Sequence, residues 1–513
     1  MLIFIATSML ISQNRFARMF GGANEDWALF VIQTTDGGYA VAGWTYSFGA
    51  GYSDLLVLKL NPNSSLSWTR TFGGTSYDYA FSIIQTTDGG YAVAGYTQSF
   101  GAGGRDFLAL KLNSGGSLAW ARTFGGTDLD WAEPIIQTSD GGYVVLGHTR
   151  SFGAGYDDIL ALKLYPDGSL EGALTFGGTE GDYGESVVQT TDGGYAIAGG
   201  TYSFGVDSLD LLLIKLMPDY SLEGAMTFGG TKNEQAQYMI QTSDGGYAIA
   251  GYTESFGAGD KDFLVIKLNS NYSLAWARTF GGAGHDRAES IVQTSDGGYA
   301  IAGYTGSFGA GGDDFLVIKV NSGGSLVWAR TFGGTGDEWA ESIIQTSDGG
   351  YAVAGYTGSF GASNRDFVVL KIDQNGNYPG CVYSCSPTSG TPSMSTSGVS
   401  LGAPCSPSTS TPGLTITSPS LTITDACAPV DMEEIDPNGP GSRITCSPVP
   451  GGIIFTSFGD MGISIYSADG RRAYSGDLRK GKNRIKLEAG VYIWITSNQE
   501  PGSRKQSGRV AVR

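Results

Sequence analysis

Residues 33–39 read Gln-Thr-Thr-Asp-Gly-Gly-Tyr, and this heptad, with Thr or Ser in third place, begins again at Gln85, Gln137, Gln189, Gln241, Gln293 and Gln345. Every interval is 52 residues, and a period of that length marks a repeat architecture. Around the second copy, Ser82–Thr86 (SIIQT) is short and β-branched. The Asp-Gly-Gly that follows is hairpin chemistry, because glycine supplies positive φ. Tyr91–Thr97 (YAVAGYT) alternates large and small side chains, a Ser-Phe-Gly loop follows, and Asp106–Leu112 (DFLALKL) is a third strand. A turn then leads to Leu118–Phe124 (LAWARTF), which ends at Gly-Gly. We call these strands A, B, C and D. No window carries apolar residues at helical spacing. Four antiparallel strands per unit, seven times over, is the arithmetic of an all-β, seven-bladed β-propeller.

The phase of the repeat predicts how the ring closes. The body opens with a D-like piece, Phe16–Phe20, and ends with a C-like piece, Asp366–Ile372, that has no D strand after it. The N-terminal piece should therefore complete the last blade.

The 81 glycines in 513 residues are about 16 %, against a usual ~7 %. Aromatics at 12 % and charged residues at 16 % do not suit a disordered chain. No apolar run reaches the ~18 residues of a membrane span. A net charge of −18 argues against a nucleic-acid partner, which needs a basic face. The chain divides into residues 1–13, an apolar stretch read as a truncated signal peptide; 14–378, the acidic propeller; 379–446, a Pro/Ser/Thr-rich linker; and 447–513, a small β-sandwich. That last segment holds eleven basic and five acidic residues. All five cysteines (Cys381, Cys385, Cys405, Cys427, Cys446) lie in the third segment, which suits an exported, oxidising setting. The linker is expected to hold the disc away from a surface.

Two acidic positions recur in every unit. One, four residues after Gly-Gly, is Asp26, Asp78, Asp130, Asp182, Glu234, Asp286 and Glu338; an aromatic follows at Trp27, Tyr79, Trp131, Tyr183 and Trp339, and Gln235 and Arg287 break the pattern. The other opens strand C, at Asp54, Asp106, Asp158, Asp210, Asp262, Asp314 and Asp366. The D–A and B–C loops should share one face of the disc. Such carboxylates can fix tight turns, hold calcium, or form an acid-and-aromatic face for sugars or a basic partner. No cofactor is expected, and calcium is the one ion these loops could take. Lysines in strand C (Lys59 and its six equivalents) should pack their stems between blades. Trp68, Trp120, Trp276 and Trp328 should clasp neighbouring blades, and Gly172 and Gly224, in their place, should leave two looser junctions. Catalysis needs asymmetry, and near-identical blades offer equivalent half-sites, so a non-enzyme is expected. Glu133, Glu185, Glu289 and Glu341 could still assemble across the central channel as carboxylate pairs for glycoside hydrolysis. His148 and His285 are expected to be incidental.

The Q-T-x-D-G-G-Y and D-x-L-x-x-K-L signatures resemble bacterial and archaeal repeat proteins read as β-propellers of unknown ligand. The tail resembles the type A C-terminal sorting domain of the type IX secretion system (Por). The resemblance rests on Ile465-Tyr466-Ser467-Ala468-Asp469-Gly470-Arg471, on Asn483–Leu487, on Gly490-Val491-Tyr492, and on the basic end at Arg509–Arg513. It implies export across a Gram-negative outer membrane, the secretion machinery as a partner, and surface attachment or release. The expected function is an exported or surface-bound binding, adhesion or display module for a glycan or protein. The alternatives are a structural surface-layer or matrix component, and a secreted glycan-active hydrolase or lyase.

Overall fold

The computed structural model describes residues 15–205, 208–309, 311–360 and 365–377, together with the backbone of short strands between 404 and 512. Each 52-residue unit forms a four-stranded antiparallel sheet. Blade 1 consists of β2 (Asp26–Gln33), β3 (Tyr39–Thr45), β4 (Asp54–Leu60) and β5 (Leu66–Gly73), in that spatial order. Blades 2 to 6 repeat it. Blade 7 is completed by β1 (Phe16–Phe20), which pairs antiparallel with Asp366–Ile372 from Phe16↔Lys371 to Phe20↔Phe367. The chain's first described strand thus closes the ring, as its phase requires, and no open strand edge is left between first and last blades.

Strands B and C are buried along their whole length in nearly every blade, for example Tyr91–Thr97 and Asp106–Leu112. Small B-strand residues face large C-strand residues of the neighbouring blade, so each cluster spans a junction: Ala92 and Ala94 of blade 2 pack with Tyr143, Leu160 and Leu162 of blade 3. A ring of side-chain bonds follows the same path. Thr35 N–H donates to Gln85 Oε1 at 2.8 Å, and the series continues until Ser347 N–H donates to Gln33 Oε1 at 2.8 Å.

The heptad's turn is fixed by its own aspartate. Gly37 has φ 80°, Gly38 N–H donates to Asp36 Oδ1 at 2.9 Å, and Thr34 Oγ1 donates to the same oxygen at 2.5 Å. The strand-C lysine does more than pack its stem: Lys59 Nζ lies 2.9 Å from Asp36 Oδ2 with only 6 % of its side chain exposed. The lysine clamps the A–B turn of its own blade.

At the outer rim, Trp120 of blade 2 packs edge-on against Tyr143 of blade 3 at 5.7 Å, and Trp68, Trp276 and Trp328 do the same to Tyr91, Tyr299 and Tyr351. The next blade's turn then needs glycine: a Cβ on Gly168 would lie 2.7 Å from the Trp120 ring. Where Gly172 and Gly224 replace the tryptophan, that turn position is Tyr220 or Tyr272, and its ring stacks on Tyr195 at 5.4 Å or Tyr247 at 5.8 Å. The two junctions are thus refilled from the opposite side. Beside Gly172 a cavity of about 310 Å³ persists, lined by Val144, Leu174, Val187, Tyr195 and Tyr220 among others.

The chain divides into two compact units, 1–428 and 429–513. Within the first, Pro404–Cys405, Ser408–Ser410, Thr415–Thr417 and Thr422–Thr424 pair antiparallel with the outer strands of blades 4, 3, 2 and 1 in turn. These linker pieces run along the rim as fifth strands and cover edges that would otherwise be open. The second unit has two antiparallel sheets. One holds Ile444–Val449, Gly452–Ser457 and Gly481–Lys486; the other holds Arg472–Leu478, Met461–Ser467, Gly490–Ser497 and Ser507–Val512. Ile465 and Tyr466 lie in 461–467, and Gly490, Val491 and Tyr492 open the neighbouring strand, where Tyr492 pairs with Ser467 and Val510. Asp469, Gly470, Arg471 and the stretch 1–13 lie outside the described residues.

Candidate functional site

Strand A lines the central channel, and one device repeated seven times aims its side chains there. In blade 1 the register slips between Ala28↔Gly43 and Phe30↔Ala42, so Leu29 is the extra residue of a β-bulge. The glycine of Tyr-Ala-Val-Ala-Gly permits this, since a Cβ on Gly43 would lie 1.8 Å from the Trp27 carbonyl oxygen. Bulges re-aim side chains next to functional sites. The bulge positions are Leu29, Phe81, Glu133, Glu185, Gln237, Glu289 and Glu341: four acids, one amide and two apolar residues on an otherwise regular scaffold.

One residue further on, Ser82, Ser186, Ser290 and Ser342 accept a backbone N–H from an adjacent blade, as when Met239 N–H donates to Ser186 Oγ at 3.0 Å. Phe30 and Tyr238 replace serine at this level, and their rings approach to 6.0 Å across the channel. Above them lies a cavity of about 330 Å³, lined by Leu29, Phe30, Phe81, Ser82, Glu133, Pro134, Glu185, Gln237, Tyr238, Arg287, Glu289 and Glu341.

The four carboxyls share one guanidinium. Arg287 Nε lies 2.7 Å from Glu289 Oε1, with side chains 30 % and 10 % exposed. The contact lies off the N–H axis, so it is an ion pair, not an aligned hydrogen bond. Gln235 Nε2 donates to Glu185 Oε1 at 2.8 Å, and Tyr252 O–H donates to Gln235 Oε1 at 3.2 Å. Burial, opposed by Arg287 and Gln235, pushes Glu185 up to about 7. Burial, opposed by Arg287 and reinforced by Glu185, does the same to Glu289. Glu341 rises to about 8 through burial and the Glu289 charge, and Glu133 stands well above the usual carboxyl range through burial and the charges of Glu185 and Glu341. Raised carboxyl values of this kind cluster at functional sites.

The recurring acids stand elsewhere. Asp26, Asp78, Asp130, Asp182, Asp286 and Glu338 are at most 3 % exposed. Asp26 accepts from Thr45 Oγ1, from Ser47 Oγ at 2.8 Å and from Gly22 N–H at 2.8 Å. Asp54 accepts from Ala50 and Gly51 N–H. These carboxylates accept hydrogen bonds from their own loops, which is the turn-fixing arrangement the sequence suggests. Among the described residues no group of three or more His, Cys, Asp or Glu is placed to hold a metal.

The aromatics that follow them pack on rings carried by strand B. Trp27 stacks on Trp44 at 4.9 Å and lies 4.1 Å from Tyr356, Trp339 stacks on Tyr304 at 4.5 Å, Tyr79 lies 4.9 Å from Tyr96, and Trp131 and Tyr183 flank His148 at 4.7 and 5.3 Å. They form a collar above the glutamates, with Arg365 over Trp27 and Tyr356, and Arg105 over Tyr96 and Trp131. His148 is part of the collar, held well below its ordinary value, at about 4, by burial. His285 pairs with Asp313 at 3.0 Å. Gln235 and Arg287, which interrupt the aromatic pattern in the sequence, are the two collar residues that reach down to the glutamates. Departure from the repeat was the signal that could have found this site.

The fold and its repeats define a seven-bladed tandem-repeat β-propeller. A family described as "Domain of unknown function (DUF5122) beta-propeller" matches residues 34–66. No curated protein matches. Among solved structures the chain is similar to Sqt1 from Chaetomium thermophilum (10 % identity, TM-score 0.38, 74 % of this chain and 90 % of that one). It is similar also to NanB plus Optactamide (12 %, 0.38, 71 % of each chain). A third likeness is to PorZ, a surface component of the type IX secretion system of Porphyromonas gingivalis (10 %, 0.24, 97 % and 75 %). None of the three carries an argument about what this chain does.

Proposed function

We propose that this protein is an exported binding module whose ligand enters the central channel from the collar side. One observation carries the reading: seven equivalent bulges present seven residues of sharply different chemistry around one cavity. Packing alone explains uniform residues such as Ala28, Ala80 and Ala132, all fully buried, but supplies no reason for four acids facing Leu29 and Phe81. The tail's resemblance to a type A sorting domain and the clustered cysteines support export by the type IX route and display at, or release from, the cell surface. Leu29→Trp, which fills the cavity from its apolar side, should abolish retention on native surface material while leaving the far-ultraviolet spectrum unchanged. Unaltered retention would refute the channel as the site. Peptide mapping of the mature termini should show the chain lacking residues beyond about 446; an intact tail on intracellular protein would refute export.

A second reading, glycan cleavage, draws on Glu289 paired with Arg287 beside Glu341, two carboxyls whose environments differ in the way an acid and base require. The repeat-symmetry argument against catalysis does not hold in the channel, where the repeats diverge.

A further inference from the structure

We infer that the channel's occupant is an organic cation, an ammonium group on a short hydrocarbon stem. This rests on the reading of the channel as a binding site and names its ligand class.

Charge is the first ground. Four carboxyls face the single Arg287, and the other nearby cations are engaged at the mouth. Lys261 lies 3.7 Å from Glu254 and 4.4 Å above the Tyr252 ring. Arg150 pairs with Asp157 at 2.8 Å, Arg365 with Glu25 at 3.7 Å, and Arg105 sits 4.7 Å over the Tyr96 ring. Unmet hydrogen bonding is the second. Of the four carboxyls, Glu185 accepts from Gln235 Nε2 at 2.8 Å and Glu289 has Arg287 as an ion partner at 2.7 Å, while Glu133 and Glu341 line the cavity. Gln237 lines the cavity, and its Nε2 is buried without an acceptor; turned over, that amide presents an oxygen to a donor. At the collar the Tyr356 hydroxyl is buried and unpartnered, and the side chain is fully buried. Buried polar atoms left without partners call for an explanation.

The apolar part of the lining selects the rest of the ligand. Leu29 and Phe81 form one side, and the Phe30 and Tyr238 rings, 6.0 Å apart across the channel, form the floor. A neutral sugar placed there would leave hydroxyls unbonded on that side, which is costly. A hydrocarbon stem would not, and an ammonium beside aromatic rings gains further. The cavity is at the small end of ligand sites, which suits a stem of several carbons.

Uptake of a cation should release protons. Burial and mutual repulsion keep Glu185, Glu289 and Glu341 partly protonated near neutrality, opposed by Arg287, Gln235 and Lys261, and burial with the charges of Glu185 and Glu341 raises Glu133 as well. A bound ammonium supplies the missing positive charge, the carboxyls ionise, and their protons pass to solvent.

The test is calorimetric titration of the full chain with n-pentylammonium chloride, at pH 7.5 in phosphate and in Tris. Expected are heats that differ between buffers through proton release, and an affinity that rises with pH by up to about tenfold per unit for each proton released. The isosteric n-pentanol should bind at least about tenfold more weakly. The double variant Glu133→Gln/Glu341→Gln should lose the cation while keeping its fold, read as a Tm at pH 8 no lower than wild type. Absent binding, buffer-independent heats or equal binding of pentanol would overturn the cation. A neutral oligosaccharide bound by wild type and lost in the double variant would overturn the cation and leave the channel reading standing. Bound probes that respond neither to the double variant nor to Leu29→Trp would overturn both.

Discussion

Strand A places neighbouring residues in two unlike regions of the molecule. At one set of positions it packs into the blades: Ala28, Ala80, Ala132, Ala236, Ala288 and Ala340 are fully buried, and the set is nearly invariant from unit to unit. At the other set it lines the channel, where Leu29, Phe81, Glu133, Glu185, Gln237, Glu289 and Glu341 differ in size, charge and polarity. The junctions between blades must all be the same shape, or the ring does not close; the channel carries no such constraint. In a closed repeat, recurrence therefore marks packing, and divergence marks the place where a ligand can be read.

The comparison can be broken at its strongest point by opening the ring. Deleting residues 14–22 removes five backbone pairs and the buried Phe16 and Ala17. This should cost about 5 kcal/mol and lower Tm by about 10 °C, read by circular dichroism. An unchanged melt would show that β1 does not close blade 7.

Next is the scaffold beneath the channel. Gly303→Val places a Cβ 1.9 Å from the Arg287 carbonyl oxygen and pushes out the bulge that carries Glu289. Chemical denaturation should show a loss of about 3 kcal/mol. By contrast, Glu341→Gln, in the same type of strand, should cost nothing at pH 8.

The rim offers a finer test. Gly172→Trp with Tyr220→Gly recreates the tryptophan–glycine pairing of the other junctions and should gain about 1 kcal/mol. Each single change should do worse than the sum implies, with a coupling of about 1 kcal/mol in a double-mutant cycle. Additivity would show that the two residues do not share a seat.

The smallest effect is electrostatic. Burial pushes Glu185 and Glu289 up to about 7 and Glu341 up to about 8 in the fold, against ~4.3 in an unfolded chain. Folding takes up protons across that window, so this contribution is full below ~4.3 and is lost as pH rises through 7 to 8. Wild type should melt a few degrees higher at pH 5.5 than at pH 8.5, and Glu341→Gln should flatten the difference. The turn aspartates run the other way. Asp88, held at about 2 by the Thr86 hydroxyl, Lys111 and Gly90 N–H against its burial, loses its contribution only as pH falls toward 2.

Blade number, strand order and ring closure were legible because each is fixed by a local pattern: the turn chemistry of Asp-Gly-Gly, alternation along B and C, and the missing D strand after Ile372. The junction tryptophans were legible for the same reason. The expected looseness at Gly172 and Gly224 was not met in full, because the compensating Tyr220 and Tyr272 lie 48 residues further along the chain and meet the vacancy only across a blade boundary. The role of the recurring acids as turn fixers was legible too: Asp26 accepts from Gly22 N–H and Ser47 Oγ of its own loops, a local pattern repeated with the unit.

The sequence by itself determined the seven-fold frame, since hairpins and alternation are short-range properties repeated without interruption. It also named the four glutamates, but not their company. Only the tertiary structure brought Glu133, Glu185, Glu289 and Glu341, from four different blades, around the guanidinium of Arg287 and opposite Leu29 and Phe81. Seven bulges point to one axis, so glutamates up to 208 positions apart, and lining residues up to 312 apart, share a single cavity, and the glutamate charges, negligible to one another along the chain, are coupled by closure of the ring.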